Sequence, residues 1–375
     1  MMDRRDVLAG FVAGGAAAAG LPGGLADSAM PAPLRAGSQV SLARKVGRML
    51  VLGFLGAQPD GEGPDRIEAH LSEGRIGGVL FLRHNARSRA GAEGLAARFR
   101  AASPNAWMAI DQEGGFVQRL SREFGYLAIP RARDVAAGGL DYARELYAAA
   151  AAEFSAAGFN MNLAPVADVH MDANAVIGRY DRAYGQDAET IAAFCAAFID
   201  AFEARGAACS IKHFPGHGRS SGDSHDGFVD LTSTWSFEEV EPFARLIEMD
   251  RAHLIMGGHL INERLDPSGV PATFSEPMMN GLLRRAMGYR GTLITDDLDM
   301  GAIRDHHTRR EAVIRSIAAG NDLLLISNSA NPDPELPQKI VIWVREAIEA
   351  GMLTEARIDE AVARIDALQG HVGMR

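Results

Sequence analysis

Residues 210–228 hold the densest group of chemically active side chains in this sequence, SIKHFPGHGRSSGDSHDGF. Three histidines, a lysine and two aspartates follow a short apolar run there, among four glycines and a proline. Imidazoles titrate near neutral pH and carboxylates are anionic, so this stretch has the groups for acid–base chemistry or for holding a metal. Because loops on a rigid scaffold commonly carry function, we predict an active-site loop here.

A second group of acids follows another apolar run, at residues 293–300 (LITDDLDM). Asp296 and Asp297 are neighbours in an extended segment, so their side chains should point in different directions. One of the two carboxylates can therefore face an active site while the other caps or precedes the next helix.

Short apolar runs alternate with alanine-rich amphipathic segments from residue 41 onward, and no long linker interrupts them. Eight runs are typical of buried strands, at 49–54, 78–82, 107–110, 160–163, 208–211, 253–256, 292–294 and 322–326. The predicted helices are 66–73, 90–101, 141–157, 188–203, 237–249, 275–287, 309–319, 337–350 and 354–369. Continuous apolar strands separated by helices indicate a parallel sheet that is buried on both faces.

We therefore predict an α/β fold, a single-domain TIM (β/α)8 barrel that is possibly imperfect, over residues 40–372. An open doubly wound sheet is the alternative, but no Gly-x-Gly-x-x-Gly follows the first predicted strand. The barrel places chemistry at the carboxyl ends of its strands. Asp111 follows the third predicted strand, Lys212 and His213 follow the fifth, and Asp296 follows the seventh. We expect these side chains to share one face.

The segment 212–218 (KHFPGHG), followed by Asp223 and His225, closely resembles the signature of glycoside hydrolase family 3. Within that family it is most similar to the bacterial β-N-acetylhexosaminidases, or N-acetyl-β-glucosaminidases. Segments 162–168, 259–275 and 293–300 also look like family segments, so the resemblance covers nearly all of residues 45–370. It implies a retaining exo-glycosidase that removes terminal non-reducing β-linked N-acetylglucosamine from peptidoglycan or chitin-like fragments.

By this resemblance Asp296 is the nucleophile that forms a covalent glycosyl-enzyme, as retention requires. His225 is the proton donor in the first step and the base in the second, and Asp223 bonds its other ring nitrogen. A histidine titrates near neutrality, so it fills both roles without the large pKa shift that a carboxylic acid needs. An imidazole base also repels an anionic acceptor less than a carboxylate does, which leaves phosphorolysis open beside hydrolysis.

The resemblance also assigns sugar-binding positions, which match Asp111, Arg119, Lys212 and His213. A fifth position is an arginine in the loop after the fourth predicted strand. Arg182 is our choice, because Ala-Tyr-Gly follows it where the family usually has Ser-Phe-Gly, and Arg179 remains the alternative.

Other functions remain open at this point. His213, His217 and His225, with Asp223 or Asp226, could hold zinc in a metal-dependent hydrolase. Against this, residues 215–216 (Pro-Gly) prevent a helical histidine pair and the chain has no His-Glu-x-x-His, so we predict no metal and no cofactor. A family 3 enzyme of β-glucosidase-like specificity and a non-catalytic sugar-binding protein are further alternatives.

Composition and charge limit the partners. The chain of 375 residues is 47% hydrophobic and 23% charged, as expected of a globular protein. Its formal net charge of −10 and its lack of a Lys/Arg-rich run argue against nucleic acid. Two cysteines are too few for a disulfide scaffold. We expect a monomer that acts on amino-sugar glycan fragments, with no stable membrane insertion.

The N-terminal residues are similar to a twin-arginine export signal. Arg4 and Arg5 precede a weakly apolar run at 9–21 that is rich in alanine and glycine, and small residues follow at 26–29. The run is too short and too rich in glycine for a membrane span. We predict an export signal over residues 1–30 and a periplasmic or exported protein, with a disordered tail on a cytoplasmic enzyme as the alternative.

Overall fold

The structure, a computed structural model, describes residues 40–220, 222 and 227–374. The predicted proton donor His225 and its partner Asp223 lie outside the described residues. The predicted export signal over residues 1–30 also lies outside them. Those predictions are therefore carried forward without a structural description.

Eight parallel strands form one sheet around the centre of the molecule. They are β1 Leu50–Gly53, β2 Gly78–Phe81, β3 Trp107–Ile110, β4 Met161–Asn162, β5 Ala208–Phe214, β6 Leu254–Gly257, β7 Thr292–Thr295 and β8 Leu324–Ile326. Their order is β7-β6-β5-β4-β3-β2-β1-β8. The two outer strands are joined by a parallel bridge between Ile294 and Leu323, which closes the sheet into a barrel. The predicted TIM barrel is confirmed.

The barrel is irregular on one side. β4 has only two residues, and the pairing of β5 with β6 shifts register between Ile211 and Phe214. β5 is also longer than predicted, because Lys212 still pairs with Val166 through an isolated bridge. Lys212 and His213 therefore lie within β5, whereas the sequence pattern placed them just after it.

Helices surround the barrel between its strands. They are α1 Leu42–Arg48, α2 Glu62–Ser72, α3 Arg89–Ala102, α4 Ala132–Gly138, α5 Leu140–Ala156, α6 Ala188–Glu203, α7 Glu241–Glu248, α8 Gly301–Arg304, α9 Arg309–Ala319, α10 Leu336–Glu349 and α11 Glu355–His371. The segment predicted as a helix at 275–287 is π-helical over Pro277–Ala286. No helix in the described ranges is long and apolar enough to cross a membrane.

The core has two layers because each strand is covered on both faces. All four residues of β1, β2 and β3 are buried, with side chains directed alternately to the barrel interior and to the helices. In the outer layer Phe81 packs edge-on against Phe159, with ring centroids 4.9 Å apart. Such packing holds the strands, and thus their carboxyl ends, in fixed relative positions.

A hairpin of two short antiparallel strands, Gln112–Gly114 and Val117–Gln118, directly follows β3. Gly114, the last residue of the first strand, and Gly115 in the turn have φ of 109° and 55°, values that favour glycine. A Cβ atom on Gly114 would lie 2.6 Å from the carbonyl oxygen of Pro130, so this position also needs glycine for space. The hairpin brings Phe116 to the carboxyl end of the barrel.

Candidate active site

A cavity of about 440 Å³ opens at the carboxyl ends of the strands. Every predicted site residue within the described ranges lines it. Its polar lining is Asp111, Glu113, Arg119, Arg182, Lys212, His213, His217, Asp296 and Asp297. Its apolar lining includes Leu80, Leu82, Leu163, Met256, Met300 and Leu325, which lie at or just after the ends of the strands. Closure of the barrel thus gathers residues that are far apart in sequence, such as Asp111 and Asp296, which are 185 positions apart.

A network of four charged side chains forms one wall of this cavity. The ammonium of Lys212 lies 2.7 Å from Asp111 Oδ1 and 2.7 Å from Glu113 Oε1. Arg182 donates two parallel hydrogen bonds of 2.8 Å to the two carboxylate oxygens of Glu113. Burial alone would raise the pKa of Glu113, but the charges of Arg182 and Lys212 outweigh it and hold that pKa below its ordinary value.

Glu113, which has no predicted role, connects two of the predicted sugar ligands, Arg182 and Lys212. Because Glu113 neutralises Arg182 and is shared with Lys212, both cations keep fixed positions. Arg119 lies 3.6 Å from the other carboxylate oxygen of Asp111. Asp111 and Arg119 therefore form an acceptor and donor pair at the wall, of the kind that binds neighbouring sugar hydroxyls. The sequence signal that could have identified Glu113 is its position, as a charged residue just after a predicted barrel strand.

Asp168 orients His213 from behind the cavity wall. Its carboxylate lies 2.7 Å from His213 Nδ1, and it accepts the backbone N–H groups of His213 and His217 at 3.1 and 2.8 Å. Burial would raise the pKa of Asp168, but the interaction with His213 lowers it. An ionised carboxylate only accepts hydrogen bonds, so Nδ1 of His213 carries the proton. Asp168 lies in one of the family-like segments, but its role was not predicted.

His217 also lines the cavity and is almost fully buried. Its Nδ1 lies 2.6 Å from the hydroxyl of Ser220, and its buried Nε2 has no hydrogen-bond partner among the described residues. Burial, together with the nearby His213, lowers the pKa of His217 to about 4. The ring is therefore neutral at pH 7 and presents a polar atom at the cavity wall.

The two neighbouring aspartates after β7 have different surroundings. Asp297 accepts the backbone N–H groups of Asp299 and Ser327 at 3.0 and 2.8 Å, so its carboxyl stabilises the turns after β7 and β8. Burial raises the pKa of Asp297 to about 7. Asp296 accepts the N–H of Asp297 at 2.8 Å and also lines the cavity. The two side chains thus accept different backbone N–H groups, although both line the cavity.

The two candidate arginines of the loop after β4 lie in different surroundings. Arg182 lines the cavity, whereas Arg179 is exposed and lies over the ring of Tyr180, 5.3 Å from its centroid. The other partner of Tyr180 is Phe116 at the hairpin tip, with ring centroids 3.9 Å apart and planes at 10°. Phe116 is 61% exposed, so this stacked pair forms an apolar rim at the cavity mouth.

The histidine-based metal site finds no support within the described ranges. Nδ1 of His213 is engaged by Asp168 and Nδ1 of His217 by Ser220. Neither histidine belongs to a group of three or more closely spaced metal-ligating residues in the part of the chain that the structure describes. The other ligands considered, His225, Asp223 and Asp226, lie outside that part.

Residues 218–222 (GRSSG) match the Gly-x-Ser-x-Gly pattern of serine hydrolases. The serine of this pattern, Ser220, is buried and is not part of the cavity lining. Its hydroxyl accepts a hydrogen bond of 2.8 Å from Asn174 and contacts His217. Ser220 therefore supports the loop and does not face a substrate.

Comparison with known proteins gives consistent matches along the chain. The family profile described as "Glycosyl hydrolase family 3 N terminal domain" matches residues 41–368. A beta-hexosaminidase of Nitrosomonas eutropha is 31% identical over 309 residues, which are 80% of this chain and 86% of that protein. Beta-hexosaminidase A of Pseudoalteromonas piscicida is 29% identical over 336 residues, 82% of this chain. This chain spans only 55% of the length of that second relative.

Among solved structures, a glycoside hydrolase family 3 β-N-acetylglucosaminidase from Paenibacillus sp. str. FPU-7 is similar in fold and sequence. The TM-score is 0.80 and the sequence identity is 31%. The match covers 89% of this chain and 63% of the solved one.

Proposed function

Because the chain belongs to glycosyl hydrolase family 3, we propose that it is a retaining, exo-acting β-N-acetylhexosaminidase. It removes terminal non-reducing β-linked N-acetylglucosamine from glycan fragments. Relatives with the names beta-hexosaminidase and β-N-acetylglucosaminidase support this choice of sugar. The observation that carries the proposal is that Asp296 and a sugar-binding set of charged side chains line the same cavity.

The shape and polarity of the cavity suit a single terminal sugar. A volume of about 440 Å³ lies within the usual range for small-molecule sites. Asp111, Arg119 and Lys212 offer paired acceptors and donors to the hydroxyls of the ring, and His213 adds a ring oriented by Asp168. Arg182 holds Glu113 and Lys212 in place and completes this wall.

In the first step, the Asp296 carboxylate attacks the anomeric carbon, and the bond from that carbon to the leaving oxygen breaks. His225, held by Asp223, donates a proton to the leaving oxygen, and the sugar remains covalently attached to Asp296. In the second step, neutral His225 takes a proton from water, whose oxygen attacks the same carbon and releases Asp296. Two inversions give net retention. His225 thus gives up one proton in the first step and regains one from water in the second.

Replacing the proposed nucleophile tests this mechanism. We expect Asp296→Asn to lower kcat on a chromogenic β-N-acetylglucosaminide by at least about 10³-fold, as loss of a catalytic nucleophile does elsewhere. Asp297→Asn is the matched control, because its amide oxygen still accepts the N–H groups of Asp299 and Ser327. We expect that control to keep activity within about tenfold. Full activity of Asp296→Asn would contradict the assignment.

The same assay distinguishes the alternative functions. Preferred hydrolysis of the chromogenic β-glucoside would indicate β-glucosidase-like specificity. Loss of activity with a chelator would indicate a metal-dependent hydrolase, and sugar binding without turnover would indicate a sugar-binding protein. A sugar phosphate formed only in phosphate buffer would indicate phosphorolysis.

The proton donor is tested by its dependence on the leaving group. We expect His225→Ala to lower kcat/KM for a disaccharide by about 10²- to 10⁴-fold, the usual contribution of general acid catalysis. A dinitrophenyl glycoside has a leaving group that needs no proton, so its first step should be nearly unaffected. Equal losses on both substrates would contradict a role for His225 as the acid.

Location and natural substrate also belong to this proposal. The twin-arginine pattern at residues 4–5 supports export, and exported enzymes of this type meet peptidoglycan or chitin-like fragments. Expression of the full chain with Arg4→Lys and Arg5→Lys together, followed by fractionation, tests this. Unchanged distribution of the protein between compartments would contradict a twin-arginine signal.

We expect a monomer with no nucleic-acid partner. The net charge of −10 is in keeping with the absence of a nucleic-acid partner.

A further inference from the structure

Two histidines and a glutamate meet at the end of the barrel opposite the candidate active site. Glu203 is the last residue of α6, His253 directly precedes β6, and His371 ends α11. Because His253 stands at the amino end of its strand, the group lies on the face away from the cavity. The three residues are separated by 50 and 118 positions in sequence, so only the fold brings them together.

The geometry of this group is compact. Glu203 Oε1 lies 3.0 Å from His253 Nδ1, and Glu203 Oε2 lies 2.8 Å from His371 Nε2. The two imidazole rings stack, with centroids 3.7 Å apart and planes at 29°. One ligand atom from each of the three side chains lies within 4.8 Å of the other two. Among the residues that the structure describes, these three are the group with this spacing.

We propose that Glu203, His253 and His371 bind a divalent transition-metal ion, with Zn²⁺ as the best fit. Two imidazole nitrogens and one carboxylate are a common zinc ligand set, and water or another ligand takes the fourth position. Zinc bonds of 2.0–2.1 Å place tetrahedral ligand atoms about 3.3 Å apart. The three ligand atoms now lie within 4.8 Å of one another, so the ion would have to draw them together by up to about 1.5 Å.

Accessibility and ligand type favour this ion over others. The side-chain exposures of Glu203, His253 and His371 are 13%, 19% and 39%, so the ion can enter from solvent while most of each ligand stays packed. Imidazole ligands suit zinc, copper and nickel, whereas calcium and magnesium prefer oxygen ligands. On binding, the ion replaces the N–H protons that now point to Glu203. In a neutral imidazole this proton moves to the other ring nitrogen. A charged imidazole already has a proton there, so it releases the displaced proton to solvent.

The position of the site predicts a stabilising effect and no effect on catalysis. An ion held by these ligands joins α6, the start of β6 and α11, and thus fastens the last described helix to the barrel. Ligands that bind only the folded state stabilise it by mass action. The alternative is that the three side chains form only a hydrogen-bonded cluster. That cluster would hold the helix without any metal.

Zinc titration of the untagged, chelator-treated protein tests the proposal, since an affinity tag would itself bind metal. Calorimetry should show about one equivalent bound with a micromolar or tighter Kd, and Co²⁺ should give a visible absorption band at the same stoichiometry. We expect His253→Gln and His371→Gln each to weaken binding by at least about 100-fold, because even outer partners of metal ligands contribute 10- to 100-fold. Zinc should also raise the Tm of the wild type and not of His371→Gln.

Two controls locate the ion. His213→Gln, in the candidate active site, should bind zinc as the wild type does, and His371→Gln should hydrolyse substrate at the wild-type rate. The proposal is overturned if zinc binding is absent or not saturable, if it survives both His253→Gln and His371→Gln, or if His213→Gln abolishes it. These outcomes do not depend on the proposed glycosidase activity.

Discussion

A single carboxylate, that of Asp168, positions both described histidines of the candidate active site. It contacts the His213 ring at 2.7 Å and accepts the backbone N–H of His217 at 2.8 Å. Its own side chain is fully buried and does not line the cavity. Asp168 is therefore a positioning residue, because it acts on substrate through His213.

We expect Asp168→Asn to lower kcat/KM by about 10- to 100-fold, the usual loss when the partner of a functional histidine is removed. The amide retains one acceptor oxygen but cannot fix both the His213 tautomer and the loop. Asp172→Asn in the same loop is the control, because Asp172 is 81% exposed and pairs with Arg133 and His170 at the surface. A change in the pH profile of KM for Asp168→Asn would distinguish positioning from general destabilisation. Equal effects of the two variants would argue against the role.

The two arginines of the loop after β4 make a second matched pair. Arg182 holds Glu113 with two hydrogen bonds, and lysine cannot reproduce this planar geometry. We expect Arg182→Lys to lower kcat/KM by about 10- to 100-fold and Arg179→Lys by less than about twofold, since Arg179 is exposed. Kinetics on the chromogenic substrate measure both. A larger loss from Arg179→Lys would make Arg179 the sugar ligand.

At the scale of elements, the loop that leaves β5 rests on the buried carboxyl of Glu239. The Gly218 N–H donates to Glu239 Oε2 at 3.2 Å, and Oε1 has no hydrogen-bond partner among the described residues. Gly216 has φ of 109°, and a Cβ on it would lie 2.5 Å from the Glu239 Cβ. Burial, with the nearby Asp168, raises the pKa of Glu239 to about 8.

This raised pKa predicts how stability depends on pH. Between pH 4.5, the ordinary value, and about pH 8, folded Glu239 holds a proton that the unfolded chain has lost. Its contribution to stability is therefore complete below pH 4.5 and is lost as pH rises to about 8. Glutamine does not titrate, so the stability of Glu239→Gln lacks this pH dependence. The free energy of unfolding of the variant should therefore rise relative to that of the wild type by about 3–5 kcal/mol between the two ends of this pH range, at about 1.4 kcal/mol per pKa unit. Urea unfolding at pH 5 and pH 8.5 measures it, and a pH-independent difference would contradict it.

The predicted elements differ from the observed ones mainly where a local pattern cannot distinguish two structures. The segment Pro277–Ala286 has the apolar spacing typical of an α-helix but is π-helical, a rare helix type that the sequence pattern did not distinguish. The hairpin after β3 was missed, since its strands have only three and two residues and carry no alternating pattern. By contrast, α6 and α9 begin and end at the predicted residues.

At the scale of the whole molecule, Asp322 holds the end of the barrel opposite the cavity. This fully buried carboxylate pairs with Arg284 at 2.8 Å, Arg357 at 2.7 Å and Arg364 at 3.1 Å. It also accepts the backbone N–H of Leu293 at 3.0 Å. Asp322 thereby joins the π-helical segment, α11 and the closing strands β7 and β8.

Removing this charge should leave three arginines near the core without their partner. We expect Asp322→Asn to lower the free energy of unfolding by about 3–5 kcal/mol, the usual loss when one partner of a buried ion pair is removed. Asp366→Asn is the control, since its pair with Arg48 is largely exposed and should contribute less than about 1 kcal/mol. Urea denaturation followed by circular dichroism measures both. Similar losses in the two variants would contradict a special role for Asp322.

The sequence by itself determined the class of fold, the approximate position of each strand and the residues that carry the family signature. Apolar runs and helical spacing involve residues only a few positions apart, so they are visible in the sequence without the structure. The rule that chemistry lies at the carboxyl ends of barrel strands then predicted that Asp111, Lys212, His213 and Asp296 share one face, and they line one cavity.

Only the tertiary structure decided which side chains act on one another. Glu113 meets Arg182, Asp168 meets His213, and Glu203 meets His253 and His371 across separations of 45 to 168 positions. It also placed Arg182 in the cavity and Arg179 at the surface. These outcomes depend on barrel closure and on the direction of each side chain, which local periodicity does not specify.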